Sequence, residues 1–168
     1  MDRTQSAGTV RLDRPGTTDG AEMWQLVRDS SGLDHNSSYF YLLWCRDFAD
    51  TSIVARDVSG RLLGFVAGFR RPVAPHTLFV WQIAVTAEHR GRGLGARMLE
   101  SLVNRSEARI TAIEASLTPD NSASAALFDS FARRRGASVQ CLTLFEPGHF
   151  PDDHEAEELI HIDISRSR

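Results

Sequence analysis

The chain has 168 residues, of which 42% are hydrophobic and 24% charged, with a formal net charge of −3. That balance gives one globular domain able to bury a core, and it speaks against nucleic acid as the main ligand, because a phosphate backbone selects a basic surface. All nineteen basic residues are arginine, which excludes phosphate loops and Schiff-base enzymes that depend on a lysine. No apolar run approaches the roughly 18 to 20 residues of a membrane span, and the N-terminal stretch is polar without a signal-peptide core, so a cytoplasmic protein is expected.

In chain order, residues 1–9 read as a flexible tail and 10–168 as the folded domain. Val10 to Arg14 is a short strand, and Asp19 is placed to cap a helix running to about Asp29. Residues 30–38, rich in Ser, Gly, Asn and Asp, form a loop before a short aromatic helix from Tyr39 to Phe48. Ser52–Arg56 and Leu62–Arg70 read as paired strands across a polar turn, followed by a strand over Thr77–Val85. Leu94, Met98, Leu99, Leu102 and Val103 share one helical face. Ile110–Leu117 is the next strand and Asn121–Arg135 the next helix, and Val139–Phe145 pairs with Leu159–Ile164 around a polar excursion. Antiparallel strands that give way to strand–helix alternation predict an α/β (α+β) domain on a single mixed sheet of about six or seven strands.

The most informative stretch is Arg90-Gly-Arg-Gly-Leu-Gly95, set between a strand and an amphipathic helix. A backbone that curls around phosphate oxygens needs residues without a Cβ, and the mouth of a helix favours anions. Gly91, Gly93 and Gly95 meet the first requirement, Leu94 opens the helix, and Arg90 and Arg92 add positive charge. The spacing does not fit the dinucleotide fingerprint, since Ala96 stands where the third glycine belongs. Cys45 and Cys141 lack CxxC spacing and a His/Asp setting, and the six histidines fit no ligand template, so neither a covalent acyl-enzyme nor a metal is expected.

The order strand, Arg-x-x-Gly-x-Gly turn, helix, strand, then Asn121-x-x-Ser-x-x-Leu-Phe128 resembles the GCN5-related N-acetyltransferases over nearly the whole chain. More narrowly, residues 33–41, 75–85 and 118–124 are similar to the L-2,4-diaminobutyrate acetyltransferases of ectoine biosynthesis. The resemblance implies acetyl-CoA as co-substrate and a small diamino acid as acceptor, with transfer to its γ-amine, no metal, and a homodimer. It further implies that the strand bearing Ile83 and Val85 splays from its neighbour, leaving backbone groups for the pantetheine arm and one N–H, that of Val85 or a neighbour, for the thioester oxygen. The 90–95 turn would cradle the diphosphate and Asn121 would flank the arm.

An alkylammonium titrates near 10, so the acceptor must lose a proton on reaction. The resemblance places His154 and Glu157 at the acceptor pocket, with Glu157 as base or ammonium anchor and Glu155 and Glu158 as alternatives. Asp34 is a partner for the α-ammonium or a helix cap, Trp81 a pocket wall, and Tyr39 a substrate contact; Tyr39, another hydroxyl or water protonates the departing thiolate, or it leaves unassisted. Many members of the wider family carry a tyrosine where this chain has Phe128, which cannot donate a proton to the thiolate. Another diamine, a protein amine, or a non-catalytic coenzyme A sensor remain alternative readings.

Overall fold

The computed structural model describes residues 9–165, so the tail expected over 1–9 lies outside the described residues apart from Thr9. The elements are β1 (Arg11–Asp13), α1 (Gly20–Arg28), α2 (Ser38–Asp47), β2 (Ile53–Arg56), β3 (Leu62–Arg71), β4 (Ala74–Val85), α3 (Leu94–Arg105), β5 (Ala112–Leu117), α4 (Ser122–Arg134), β6 (Val139–Phe145) and β7 (Glu157–Asp163). The strands form one seven-stranded sheet in the order β1-β2-β3-β4-β5-β7-β6. All neighbours are antiparallel except β4 and β5, which run parallel and are joined through α3. This is the single mixed α/β sheet that the pattern of elements predicts.

Two clusters sandwich the sheet. On one face α3 inserts Leu94, Met98, Leu99, Leu102 and Val103, and α4 inserts Phe128, Phe131 and Ala132, against Ile113, Ala115, Ile160 and Ile162. Each such apolar side chain contributes about 1.5–3 kcal/mol through burial. On the other face α1 and α2 place Met23, Val27, Tyr41, Trp44 and Cys45 on Val54, Phe65, Ala67 and Ala84. Burial and the charge of Asp19 push the Cys45 thiol up to about 11, so this cysteine stays an uncharged core residue.

Local details depart from the sequence pattern for identifiable reasons. Asp19 stands at the start of α1 without capping it; its carboxylate accepts the Gly16 N–H at 2.6 Å and pairs with Arg56. The cap of α2 is Ser37, whose hydroxyl accepts from the Phe40 N–H at 3.3 Å, which leaves Asp34 outside the helix. β7 begins at Glu157 rather than Leu159, because Glu157 and Glu158 continue the ladder opposite Phe145 and Thr143. β4 contains a bulge: Val80 is opposite Gly68 and Gln82 opposite Ala67, so Trp81 is the extra residue.

Candidate active site

A cleft opens where β4 and β5 part. Their parallel pairing stops at Val80 and Ala115, although β4 continues to Val85 and β5 to Leu117. On the β3 side, Thr86 N–H bonds to the Leu63 carbonyl at 2.8 Å. By the alternation of an antiparallel ladder, Phe65 and Ala84 then exchange bonds, while Ile83 and Val85 turn their backbone groups toward the gap left by β5. The two positions expected to offer free amides are therefore those that the register directs into the cleft.

The cleft holds a cavity of about 560 Å³ between β4, the turn after it, the first turns of α4 and the loop after α1. Ile83, Val85, Arg90, Gly91, Gly93, Leu94, Gly95 and Asn121 all line it. Gly91 and Gly93 have φ of +69° and +77°, a backbone closed to most side chains, and Gly93 is the residue before the first turn of α3. Left-handed residues ahead of a helix turn successive N–H groups to one side and form an anion nest. Gly95 serves a different end from the one expected: it is already helical, and a Cβ there would collide with Leu127 Cδ1, so its smallness lets α3 and α4 approach.

The arginines are also redistributed. Arg90 turns its guanidinium away from the nest, donating from Nε to the Val85 carbonyl at 3.0 Å and from Nη2 to Ser30 Oγ at 3.1 Å. Arg92 is exposed and is not part of the cavity wall. A charge that the sequence did not single out takes a place above the nest: Arg134 Nη2 lies 3.4 Å from where a Cβ on Gly93 would stand. It extends the stripe Ala123, Leu127 and Ser130 of α4, which faces the cavity at helical spacing. Asn121 caps α4 by accepting from the Ser124 N–H at 3.1 Å, and thus sets the helix that forms this wall.

On the opposite side of β4 the acidic groups gather. Gln82, buried at 7% exposure, donates from Nε2 to the Asp34 carbonyl at 3.0 Å and accepts the Tyr41 hydroxyl at 2.8 Å. Burial pushes the Tyr41 phenol above its ordinary value. His154 Nδ1 donates to the Glu155 carbonyl at 2.7 Å, its ring stacks on Phe150 at 4.1 Å, and its Nε2 faces Glu157 Oε1 at 3.7 Å. The Glu155 carbonyl foremost, then the charges of Glu157, Asp34 and Asp152, hold the His154 imidazolium above the usual range. The Glu157 side chain is 15% exposed and has no arginine partner among the described residues. Of the alternatives, Glu158 takes the Cys141 thiol at 3.3 Å and Glu155 is exposed.

Trp81, 49% exposed through the bulge, stands 6.0 Å from both Phe40 and Trp44 as an indole wall beside α2. Tyr39 does not join the site as expected: α2 buries Tyr41, and a residue two positions away on a helix points to the far side, leaving Tyr39 65% exposed. Arg70 and Arg71, at the far end of β3, are engaged away from these groups, Arg70 with Pro75, Ser106 and Ala108 and Arg71 with Glu114 at 2.9 Å. Phe128 is 2% exposed within the core. Sequence reasoning missed Gln82, Arg134 and Ser30, whose only signal is position in the assembled fold.

Comparison with known proteins agrees with this geometry. Residues 20–132 match the model of the acetyltransferase (GNAT) family. An L-2,4-diaminobutyric acid acetyltransferase of Streptomyces avermitilis is 51% identical over 91% of this chain and 87% of its own length. That of Streptomyces coelicolor is 50% identical over 95% of both chains. Among solved structures, the diaminobutyrate acetyltransferase EctA of Paenibacillus lautus, in complex with its substrate L-2,4-diaminobutyric acid and coenzyme A, superposes with a TM-score of 0.89 at 36% identity, covering 96% of this chain and 99% of the other. The chain therefore belongs to the GNAT acetyltransferase family and, within it, to the L-2,4-diaminobutyric acid acetyltransferases.

Proposed function

We propose that this protein transfers the acetyl group of acetyl-CoA to the γ-amine of L-2,4-diaminobutyrate in a ternary complex, giving N4-acetyl-L-2,4-diaminobutyrate for ectoine formation. The observation that carries the reading is that one strand, β4, turns the amides of Ile83 and Val85 toward a cleft with a glycine nest and, through Gln82 on its other face, holds the loop that bears Asp34. The relative from Paenibacillus lautus, crystallised with diaminobutyrate and coenzyme A together, supports it.

The nest at Gly91 and Gly93 and the N-terminus of α3 fit a diphosphate, with Arg134 and Arg92 supplying charge. Ile83 offers the pantetheine arm the backbone bonds that β5 does not take, and Val85 N–H faces the oxygen that gains charge as the thioester is attacked. Diaminobutyrate carries two ammonium groups and one carboxylate, a net charge near +1 by reference pKa values. Asp34, fixed through its carbonyl by Gln82, pairs with the α-ammonium, and Trp81 gives the cation a flat face. The γ-ammonium first releases one proton to solvent, the neutral amine attacks, Glu157 accepts the second γ-nitrogen proton as the N–C bond forms and the C–S bond breaks, and His154 holds that carboxylate in place. The thiolate departs without a protein acid, since Phe128 has no hydroxyl, Tyr39 points outward, and a thiol of pKa near 8.5 is a good leaving group.

The same reading places the protein in the cytoplasm, where its substrates are made; no helix among the described residues is long and apolar enough to cross a membrane. It also takes the protein to be a homodimer. α1 and α2 cover β2 to β4 only, and beyond them Leu142 and Phe145 are 58% and 46% exposed on the β6 side. Sedimentation should give twice the chain mass.

The deciding experiment supplies acetyl-CoA with diaminobutyrate, ornithine, lysine or a peptide and follows thiol release, then locates the acetyl group by mass spectrometry. Diaminobutyrate should react best, with ornithine slower by about 10- to 200-fold for its additional methylene. Acetylation at the α-nitrogen, or release only with the peptide, would reject the assignment, and release with none would favour a coenzyme A sensor.

A further inference from the structure

We infer that Arg90 is a positioning residue that couples the coenzyme and acceptor sites, and that it binds no phosphate itself. The inference rests on the placement of the two ligands proposed above.

Arg90 opens the phosphate turn, yet its guanidinium is directed backwards. Nε is held by the Val85 carbonyl at 3.0 Å and Nη2 by Ser30 Oγ at 3.1 Å. Ser30 is 5% exposed, and its hydroxyl proton goes to the Leu26 carbonyl at 2.7 Å, so its oxygen is free to accept the guanidinium. One planar cation thus ties the end of β4, which edges the coenzyme cleft, to the start of the loop between α1 and α2. A guanidinium suits such a strut because its donors diverge in a fixed plane and keep their charge at any working pH.

That loop belongs to both sites. Ser31, Gly32 and Leu33 line the same cavity as Gly91 and Gly93. The next residue, Asp34, gives its carbonyl to Gln82 at 3.0 Å and its charge to the His154 cluster. Gly32, at φ +79° with no atom within 4 Å of a Cβ position, has no side chain to lock the loop from within. Its placement therefore depends on Leu33, which packs against the α1–α2 core, on the two end tethers, Arg90 to Ser30 and Gln82 to Asp34, and on whatever fills the cavity. A coenzyme arm lying against residues 31–33 fixes the loop and presents Asp34, so diaminobutyrate binds the loaded protein more tightly. By linkage, diaminobutyrate tightens coenzyme binding by the same factor.

The test is calorimetric titration of coenzyme A, without and with saturating diaminobutyrate, a pair that cannot react. In the wild type the second ligand should tighten the first by about fivefold or more. Arg90→Gln and Ser30→Ala should each bring that factor close to one while coenzyme A affinity alone stays within about threefold, as expected when only a coupling contact is lost. In turnover, the KM for diaminobutyrate should rise with kcat little changed, and Arg90→Lys, which retains charge and one donor direction, should recover part of the coupling. A wild type without coupling, or variants that retain it, would overturn the inference. So would an Arg90→Gln variant that loses coenzyme A affinity about tenfold with a shallower salt dependence, because that is the behaviour of a phosphate ligand. Gly93→Val separates this from the underlying placement: if that variant binds coenzyme A like the wild type, the nest assignment fails whatever Arg90 does. Ser30→Ala removes a single hydroxyl, so coupling remains measurable should the Arg90 variants fold poorly.

Discussion

On the side of β4 proposed for the coenzyme the recognising groups are main chain: two amides released by the parting of β5, and the N–H groups of a turn whose glycines have φ of +69° and +77°. On the proposed acceptor side they are side chains brought from three distant segments, Asp34, Trp81, and His154 with Glu157. Backbone recognition suits the phosphates and amides of a common carrier, and it tolerates changes of side chain as long as φ and register are kept. Side-chain recognition suits a particular diamine, and it fails when a single carboxylate is lost.

The contrast can be broken most sharply at Glu157. Glu157→Gln keeps the shape and removes the charge, and kcat should fall by about 10²- to 10⁴-fold, the usual worth of a general base, with the KM for acetyl-CoA unmoved. A variant that keeps wild-type turnover would return Glu157 to the role of a surface carboxylate. On the other wall, Gly93→Val forces a β-branched residue into a left-handed backbone at a cost of about 1–3 kcal/mol. The KM for acetyl-CoA should then rise about tenfold, a shift of the same energy, while the kcat for bound substrates stays near normal. An equal rise in the KM for diaminobutyrate would show that the two walls are not separable in the way described.

The smallest effect concerns pH. His154 is held in its charged form above the ordinary imidazole range, so whatever stability this pairing contributes is complete below the unfolded-state value and is lost as pH rises through the raised one. The same titration removes a positive charge beside Glu157 and Asp34, where an ammonium is to bind. The KM for diaminobutyrate should therefore fall by about threefold across that step, in keeping with an exposed ion pair. His154→Asn should abolish the step while leaving the acetyl-CoA KM flat over the same range. A step that persists in the variant would assign it to the substrate's own amines.

How much was legible in the chain follows the same division. The sheet, the buried face of α3 and the turn before it were visible because their causes are local: apolar periodicity, and small residues between a strand and a helix. Gly95 was read as part of the curl because sequence cannot tell a glycine needed for φ from one needed for close helix packing. Arg90 was taken for a phosphate ligand because its direction is set by Ser30, sixty positions away. Tyr39 was taken for a site residue because aromatic composition alone does not show which way a side chain leaves the helix, and packing turns it to solvent while Tyr41 fills the core. His154 and Glu157 lie in a stretch of acids that looks like any solvated loop, and resemblance alone raised them above their neighbours. Gln82 and Arg134 carried no local signal, since one acts through a bulge and the other through the crossing of two helices.

The additional residue in β4 has a consequence for how this enzyme tolerates change. Trp81 and Gln82 both face α2, and from there onward odd positions meet α3 and α4 while even positions meet α1 and α2. Parity along the strand is thus reset once, immediately before the cleft. Loss of the Trp81 codon would make Val80 and Gln82 consecutive rungs, removing the indole while the cleft amides keep their direction; loss of a codon after Gln82, where there is no spare residue, would swap Ala84 with its neighbours across the sheet and hand those amides back to β3.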